Sequence, residues 1–247
     1  MKHDNLEDRD VEGSARIDSR ELIRRYEQTR DTVAEIAARH NREPGDVRII
    51  AVSKYQPTAA LRTLAGHGHL DFGENYIQEA LRKQDELELP ELRWHYLGRL
   101  QRNKAKFVPG NFTMFHALDD ELLASSLQLR SKTHGGVLEV LLQVNFGQET
   151  QKGGVLPDQL PNLAEKVRRM DGLALRGLMA LPPFSLELPE KQRLFSELRE
   201  LRDKLQTHLG LPLPELSMGT TDDFPQAIAE GATMVRIGTR IFGERSR

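Results

Sequence analysis

Short apolar runs alternate with amphipathic segments of helical spacing along most of this chain, and this alternation constrains its fold more than any other feature. Each run is long enough for one buried strand, and each amphipathic segment can return the chain to the start of the next strand. The predicted strands are Val47–Tyr55, Leu70–Gly73, Arg93–Leu97, Phe112–His116, Val137–Asn145, Leu173–Met179, Leu216–Met218 and Met234–Ile237. Eight strands alternating with helices in 247 residues predict an α/β fold, a single-domain (β/α)8 TIM barrel with right-handed parallel crossovers.

Several helices of this barrel carry recognisable start signals. The first has capping-box spacing at Asp18–Glu21 and extends to His40. Asp119 is placed to cap a helix that runs through Leu129, and Asp223 is placed to cap the helix before the last strand. The sequence therefore predicts both where the helices lie and which side chains begin them.

The predicted barrel occupies residues 18–247. Residues 1–17 are acidic and polar without periodicity, so we interpret them as a mobile tail. An open doubly wound sheet is the main alternative to a barrel. Such a sheet normally has a glycine-rich phosphate turn after its first strand, and that place is taken here by Ser53–Pro57.

The composition excludes several classes of function. The chain has no cysteine, which excludes disulfides, thiolate nucleophiles, Cys-type zinc sites and iron–sulfur clusters. Its formal net charge is −2, so no global field attracts nucleic acid or an anionic membrane. The amino terminus has no apolar signal core and no stretch approaches a membrane span, so we expect a cytoplasmic protein.

The first predicted strand ends in a lysine. Residues Val47–Tyr55 read Val-Arg-Ile-Ile-Ala-Val-Ser-Lys-Tyr, which places Lys54 at the carboxyl end of the strand, where barrels hold their active sites. Partial desolvation there favours the neutral amine, which is a nucleophile toward an aldehyde. A lysine that only keeps the strand end soluble is the ordinary alternative, and this stretch alone does not decide between the two.

Polar residues follow other predicted strands at the same end of the barrel. They are Asn75, Asn145, Ser217, Thr221 and the pair Gly238-Thr239. Polar loops are common, but Arg236 is unusual because it interrupts the apolar run Met234–Ile237. A guanidinium directed at the helix layer would be a costly buried, unpaired charge. We therefore expect Arg236 to point into the barrel mouth, toward an acidic side chain or, in preference, a ligand.

The loops after the seventh and eighth strands predict a phosphate site. Barrels often bind phosphate between these loops through backbone N–H groups and hydroxyls, which Thr221, Gly238 and Thr239 can supply. A Gly-Thr pair alone is a weak indicator. Together with Lys54 and Arg236, it predicts a ligand with an aldehyde, a ring and a phosphate.

Six segments in order along the chain resemble the pyridoxal phosphate homeostasis proteins. They are Ala51–Lys54, Phe72–Glu79, His95–Gly98 with Leu100–Lys104, Gly177–Ala180, Leu216–Gly219, and Met234–Thr239 with Ile241–Gly243. The resemblance covers nearly everything from Val47 to Glu244, and the order of the six motifs argues against coincidence.

This resemblance implies a monomeric barrel of the alanine racemase N-terminal domain type that binds pyridoxal 5'-phosphate (PLP) as a Schiff base, an internal aldimine. Lys54 matches the Schiff-base lysine and Arg236 the residue that faces the pyridine nitrogen. The remaining candidates for cofactor binding are Asn75, Ser217, Thr221, Gly238 and Thr239.

Two positions depart from the pattern of the family. It usually has Met-Ser where this chain has Thr220-Thr221, and Thr221 keeps a hydroxyl at the place of the serine. Phosphate binding should therefore survive the change. Arg99 is unusual for the loop between Gly98 and Leu100, and nothing in the sequence explains it.

The favoured function is a non-catalytic carrier that holds PLP, maintains vitamin B6 homeostasis and delivers the cofactor to apo-enzymes through transient contacts. The alternative is an enzyme, either a PLP-dependent amino-acid racemase or a lysine Schiff-base aldolase. Against a racemase, the sequence ends at Arg247 without a second domain, and a cation beside the pyridine nitrogen weakens the electron sink. Against an aldolase, no obvious acid or base is placed near Lys54.

Other features have ordinary interpretations. His67-Gly68-His69 has metal-ligand spacing but no adjacent carboxylate cluster, so we interpret it as a turn and predict no metal site. The basic segment Arg99–Lys106 lacks interleaved aromatic residues, which favours a solvated surface over nucleic-acid binding. Leu194–Leu205 predicts a core-facing helix. Glu149 and Lys152 fit either an exposed ion pair or a mobile lid.

Overall fold

The computed structural model describes residues 18–146 and 153–244, whose eight parallel strands close into one barrel in sequence order. The strands are β1 (Arg48–Val52), β2 (Asp71–Glu74), β3 (Arg93–Tyr96), β4 (Met114–Leu118), β5 (Leu138–Val144), β6 (Leu173–Ala180), β7 (Glu215–Thr220) and β8 (Met234–Ile237). The α-helices are α1 (Ser19–Arg39), α2 (Thr58–Gly66), α3 (Ile77–Leu87), α4 (Glu121–Thr133), α5 (Leu160–Val167), α6 (Leu188–Leu209), α7 (Phe224–Ala229) and α8 (Thr239–Phe242). The predicted (β/α)8 barrel is confirmed.

Pairing of the first and last strands closes the barrel. Ile50 of β1 is in register with Arg236 of β8, and Ala51 is in register with Ile237. This closure brings the turn after β1, which carries Lys54, beside the loop after β8. Residues far apart in sequence therefore share the carboxyl rim of the barrel.

The start of α1 agrees with the sequence only in part. Asp18 is the N-cap residue, and its carboxylate accepts a hydrogen bond from the Arg20 N–H at 3.0 Å. Glu21 does not reach back to complete a capping box, because its carboxylate binds Arg24 and Arg25 at 2.7 Å each. The helix therefore begins where predicted with half of the expected cap.

The predicted boundary between β4 and α4 is wrong. The strand continues to Leu118, and the helix is capped by Asp120, which accepts from the Leu123 N–H at 2.9 Å. Asp119 instead accepts from the Gly154 N–H at 3.0 Å, in the connection after β5. A contact between distant segments thus decides which of two adjacent carboxylates caps the helix.

The connection between β7 and α7 also uses its aspartate differently. Asp223 is the N-cap residue of α7 but makes no side-chain bond to that helix. Its carboxylate accepts from the Thr220 N–H at 2.6 Å and from the Thr220 hydroxyl at 3.0 Å. The side chain therefore fixes the end of β7.

The apolar stripe of α6 packs against the core as predicted, with Leu198 and Leu205 buried. The predicted tail, residues 1–17, lies outside the described residues, as do Glu149 and Lys152. None of the helices within residues 18–146 and 153–244 has both the length and the apolar character needed to cross a membrane.

Candidate functional site

A cavity of about 450 Å³ opens at the carboxyl ends of the strands. Most of the residues predicted from the sequence line it: Lys54, Asn75, Thr221, Arg236, Gly238 and Thr239. Leu97, Met179 and Phe184 are among its apolar lining residues. Ser217 is not among the described lining residues, because it is fully buried and hydrogen-bonded to Arg236.

Lys54 is half-buried in a tight turn after β1. The Ser53 N–H donates to the Gly73 carbonyl of β2 at 3.0 Å, and the Gln56 N–H donates to the Ser53 carbonyl at 2.9 Å. Between these bonds, Tyr55 has a φ of 64°, in the left-handed region that non-glycine residues seldom adopt. The backbone on both sides of Lys54 is therefore fixed, and the amine projects from a defined position.

Asn75 is positioned by β3. The Tyr96 hydroxyl donates to the Asn75 carbonyl at 3.2 Å. Burial raises the pKa of Tyr96 to about 12, so the hydroxyl keeps the proton that this bond uses. A Cβ atom on Gly98 would lie 2.2 Å from the Asn75 carbonyl oxygen. Glycine at the end of β3 therefore permits the close approach of the Asn75 loop.

Arg236 points into the barrel interior, as its position in an apolar run predicts. It is 4% exposed, and its two terminal nitrogens donate to the Ser217 hydroxyl at 2.6 Å and to the Ala180 carbonyl at 2.9 Å. Both partners are neutral, so the guanidinium keeps its full positive charge beside the cavity. Burial lowers the pKa of Arg236 to about 10, which still leaves it protonated at neutral pH.

The loops after β7 and β8 place hydroxyl and amide groups together. The Thr221 hydroxyl oxygen lies 3.4 Å from the Gly238 nitrogen and 3.3 Å from the Thr239 hydroxyl oxygen. Gly219 precedes these residues with a φ of 89°, and a Cβ atom there would lie 2.6 Å from the Cβ of Ala227. Only glycine allows α7 to pack this close to the loop that carries Thr221.

Comparison with known proteins shows the family. The chain matches the family described as "Alanine racemase, N-terminal domain" over residues 26–246. The pyridoxal phosphate homeostasis protein of Aquifex aeolicus (strain VF5) is 41% identical over 222 residues, which cover 90% of this chain and 97% of the relative. This chain belongs to the pyridoxal phosphate homeostasis protein family. The resemblance inferred from six sequence motifs is confirmed.

One further relative and one solved structure support the assignment. The pyridoxal phosphate homeostasis protein of Pseudomonas aeruginosa is 43% identical over 222 residues, covering 87% of this chain and 95% of the relative. The structure of PipY of Synechococcus elongatus PCC7942 with PLP bound matches with a TM-score of 0.78 and 39% identity, covering 85% of this chain and 100% of that chain. The family fold thus extends over most of this barrel.

A buried ion cluster beside the Lys54 turn was missed by the sequence reasoning. The Lys83 ammonium is fully buried and donates to the Ser53 carbonyl at 2.6 Å and to the carboxylates of Glu74 and Glu79 at 2.7 Å each. Glu79 also accepts from the Tyr55 N–H. The cluster therefore holds the backbone immediately before and after Lys54. The spacing of Glu79 and Lys83, four residues apart on α3, was the available signal.

Burial has a clear electrostatic effect in this cluster. It raises the pKa of Glu74, although the Lys83 ammonium and the Ser53 hydroxyl oppose that rise. The Ser53 hydroxyl donates to the same Glu74 oxygen as Lys83, at 2.7 Å. The carboxylate is thus held by two donors in an environment that disfavours its charge.

The remaining polar motifs have structural contacts. His67 ends α2 beside Glu27, at 3.0 Å, so the predicted turn is confirmed. His69 is buried against the Tyr26 hydroxyl and the Asp71 carbonyl at 3.2 and 2.8 Å. Arg99 is exposed and lines a surface groove next to Asn75.

Proposed function

We propose that this chain binds pyridoxal 5'-phosphate through Lys54 and serves in the homeostasis of this cofactor. The observation that carries the proposal is the convergence of an amine, a guanidinium and hydroxyl groups on one cavity of about 450 Å³. That volume lies within the range of roughly 300–1,000 Å³ typical of small-molecule sites. The name of the relatives and the PLP in the PipY structure support it.

The residues of the cavity fit the chemical groups of PLP. The cofactor supplies an aldehyde and a pyridine ring that can act as an electron sink. Lys54 would hold the aldehyde carbon as a Schiff base, with release of water, and Arg236 would donate to the ring nitrogen. Thr221, with Gly238 and Thr239, would donate to the phosphate. Asn75 would contact the side of the ring.

Ser217 supports this site from behind. Its hydroxyl accepts a hydrogen bond from Arg236 at 2.6 Å, and the residue is fully buried. We therefore assign Ser217 to cofactor binding through Arg236 and not through direct contact.

We infer that the chain is a carrier without a metabolic reaction of its own. Arg236 is a cation with two neutral partners, Ser217 and Ala180. A cation beside the ring nitrogen opposes protonation of that nitrogen, which weakens the electron sink that carbanion chemistry needs. The site therefore favours holding the cofactor over activating it. Transient contact with apo-enzymes follows from this role.

Covalent attachment is tested by reduction and mapping. The protein loaded with PLP should absorb in the visible range, and borohydride should fix a phosphopyridoxyl group on the peptide that contains Lys54. Protein unfolded before PLP is added provides the control for nonspecific labelling, which should spread over many lysines. Modification of another peptide in the folded protein, with Lys54 unmodified, contradicts the assignment.

The carrier role is tested against the racemase alternative, which the shared barrel of the alanine racemase family keeps open. We expect the loaded protein to restore activity to an apo-enzyme and to exchange no α-proton of common L-amino acids in deuterated water, as followed by NMR. Rapid α-proton exchange that depends on Lys54, without transfer of PLP to the apo-enzyme, would show that the protein is an enzyme and not a carrier. The same preparation tests the predicted monomer by light scattering.

A further inference from the structure

A chain of buried hydrogen bonds crosses the interior of the barrel from Arg236 to Asp71. Arg236 donates to the Ser217 hydroxyl at 2.6 Å, and that hydroxyl lies 2.9 Å from Nδ1 of His116. Nε2 of His116 lies 3.0 Å from Nδ1 of His95, and Nε2 of His95 lies 3.1 Å from Oδ1 of Asp71. All five residues are at most 6% exposed. We refer to these residues as the interior chain.

The interior chain connects the two ends of the barrel. Arg236 lines the cavity at the carboxyl rim. Asp71 is the first residue of β2, at the opposite end, where Arg93 binds both oxygens of its carboxylate at 2.8 and 2.5 Å. A buried carboxylate paired with a partly exposed arginine at one end of the barrel is thus linked through neutral groups to the cavity at the other end.

When both imidazoles are neutral, the charged ends of the interior chain fix the direction of every hydrogen bond in it. A carboxylate only accepts, so His95 must carry its proton on Nε2 and accept at Nδ1. His116 must then donate from Nε2 to His95 and accept at Nδ1. Ser217 must donate its hydroxyl proton to His116, and its oxygen accepts from Arg236, which only donates. One arrangement of protons satisfies all of these contacts.

The surroundings keep both imidazoles neutral, as this arrangement requires. Burial lowers the pKa of His95 and lowers the pKa of His116 well below its usual value. Asp71 stays ionised, because hydrogen bonds from Arg93 and His95 outweigh its burial and hold its pKa below the usual range. A positive charge on His116 would also face Arg236 and Arg48, and a positive charge on His95 would face Arg48 and Arg93.

We propose that His116 and His95 are positioning residues for the cavity: as neutral Nε2–H tautomers, they orient the Ser217 hydroxyl so that its oxygen holds the Arg236 guanidinium. This inference rests on the proposed function in that Arg236 contacts the cofactor. The hydroxyl proton of Ser217 is directed at His116 and away from the cavity. The ligand therefore meets Arg236 in an orientation set from the far end of the barrel.

The first experiment measures the tautomers without PLP. Protein labelled with ¹⁵N-histidine is studied by long-range ¹H–¹⁵N correlation NMR, with His95→Gln and His116→Gln used to assign two of the eight histidines. We expect both rings to be neutral and protonated at Nε2. A neutral ring protonated at Nδ1, or an imidazolium, at either position overturns the proposal whether or not the protein binds PLP.

The second experiment separates positioning from stability. Asparagine places its amide near Nδ1 of a histidine, and glutamine places its amide near Nε2. His116→Asn can therefore keep the bond to Ser217, whereas His116→Gln can keep only the bond to His95. We expect His116→Gln to weaken PLP binding about tenfold and to shift the visible absorption of the bound cofactor, and His116→Asn to stay nearer the wild type.

His69→Gln is the matched control. His69 is a buried histidine whose Nε2 contacts the Asp71 carbonyl and whose Nδ1 contacts Tyr26. Glutamine can keep the Nε2 contact and loses only the contact to Tyr26, which is outside the interior chain, so PLP affinity and absorption should stay unchanged. Equal losses of affinity in the folded His116→Asn and His116→Gln proteins overturn the positioning role. If a variant does not fold, the tautomers of His95 and His116 measured in the wild type still test the proposal. If the wild type does not bind PLP, the proposed function is refuted, whereas the tautomers of the interior chain are still tested by the first experiment.

Discussion

Replacement of Lys83 by methionine tests the buried ion cluster beside the Lys54 turn. Methionine keeps a side chain of similar length and removes the charge and the donors. In the wild type, the fully buried ammonium donates to the Ser53 carbonyl at 2.6 Å and to Glu74 and Glu79 at 2.7 Å each. The variant therefore leaves two carboxylates without their shared cation, and it leaves the Ser53 carbonyl with the Gln56 N–H as its remaining donor.

The expected loss of stability follows from these contacts. Removal of one partner from a buried ion pair costs about 3–5 kcal/mol, because the remaining charge stays buried without compensation. For a protein of this size, about 1 kcal/mol corresponds to roughly 2–4 °C in Tm, so we expect Tm to fall by about 6–20 °C. Urea unfolding at pH 7 measures the free energy directly, provided that the slope with denaturant is unchanged. Lys204→Met is the control, because Lys204 forms an exposed pair with Glu200 at 3.9 Å, which contributes little.

The dependence of this loss on pH provides a second check. Burial raises the pKa of Glu74 in the folded wild type, and loss of Lys83 should raise it further. A carboxyl with a raised pKa in the folded state binds its proton more tightly there than in the unfolded chain, so stability falls as pH rises through that pKa. The difference in unfolding free energy between the wild type and Lys83→Met should therefore shrink as pH is lowered from 7 toward about 4.3, the ordinary pKa of glutamate. A loss of unfolding free energy below about 1 kcal/mol at pH 7, or a loss that does not shrink as pH is lowered, would refute a buried, charge-paired cluster.

Three further changes have defined outcomes. Thr221→Val removes one hydroxyl donor. Hydrogen bonds to charged groups contribute about 1.5–3 kcal/mol, so PLP affinity measured by titration should fall roughly ten- to a hundredfold. An unchanged affinity would place the phosphate in another loop. Gly219→Ala should lower the urea midpoint, because the new Cβ atom would lie 2.6 Å from the Cβ of Ala227 and the backbone φ is 89°. Gly45→Ala is the control: its new Cβ atom would have no neighbour among the described residues within 4 Å, so the midpoint should not fall. Asp71 has a pKa held below its usual value in the folded state, so its contribution to stability should be present above about pH 4 and lost below it. The pH profile of unfolding should therefore flatten on the acid side in Asp71→Asn, and an unaltered profile contradicts the assignment.

The strand count and the end of the barrel that holds the site could be predicted, because both depend on local signals. An apolar run that ends in Lys54, or one interrupted by Arg236, needs no knowledge of distant residues to be recognised. The boundaries of helices were less predictable where either of two adjacent residues could act as the N-cap. Asp119 and Asp120 are equally able to cap α4, and the Gly154 N–H decides between them.

The groups that support the site could not be predicted, because their role depends on burial and on register. Glu79 and Lys83 have the spacing of a solvated helical pair, and only the folded structure shows that Lys83 is fully buried beside Glu74 of β2. His95 and His116 lie in apolar surroundings on different strands, and no sequence pattern shows that β3, β4 and β7 align their side chains with Ser217. Pairwise contacts of this kind appear only once the barrel is closed.

The two supporting systems hold different parts of the cavity, and this division bears on how the proposed carrier would both bind and release its ligand. The ion cluster around Lys83 fixes the backbone that carries Lys54, whereas the interior chain fixes the side chain of Arg236. Groups held in place before binding cost less conformational entropy when a ligand arrives, so the ring and phosphate contacts can contribute affinity independently of the covalent bond. Exchange of the bond to Lys54 would then leave the ligand held by the noncovalent contacts. Weakening either system should therefore separate the two steps: loss of Lys83 should slow covalent attachment, and loss of His116 should weaken binding of an analogue that lacks the aldehyde.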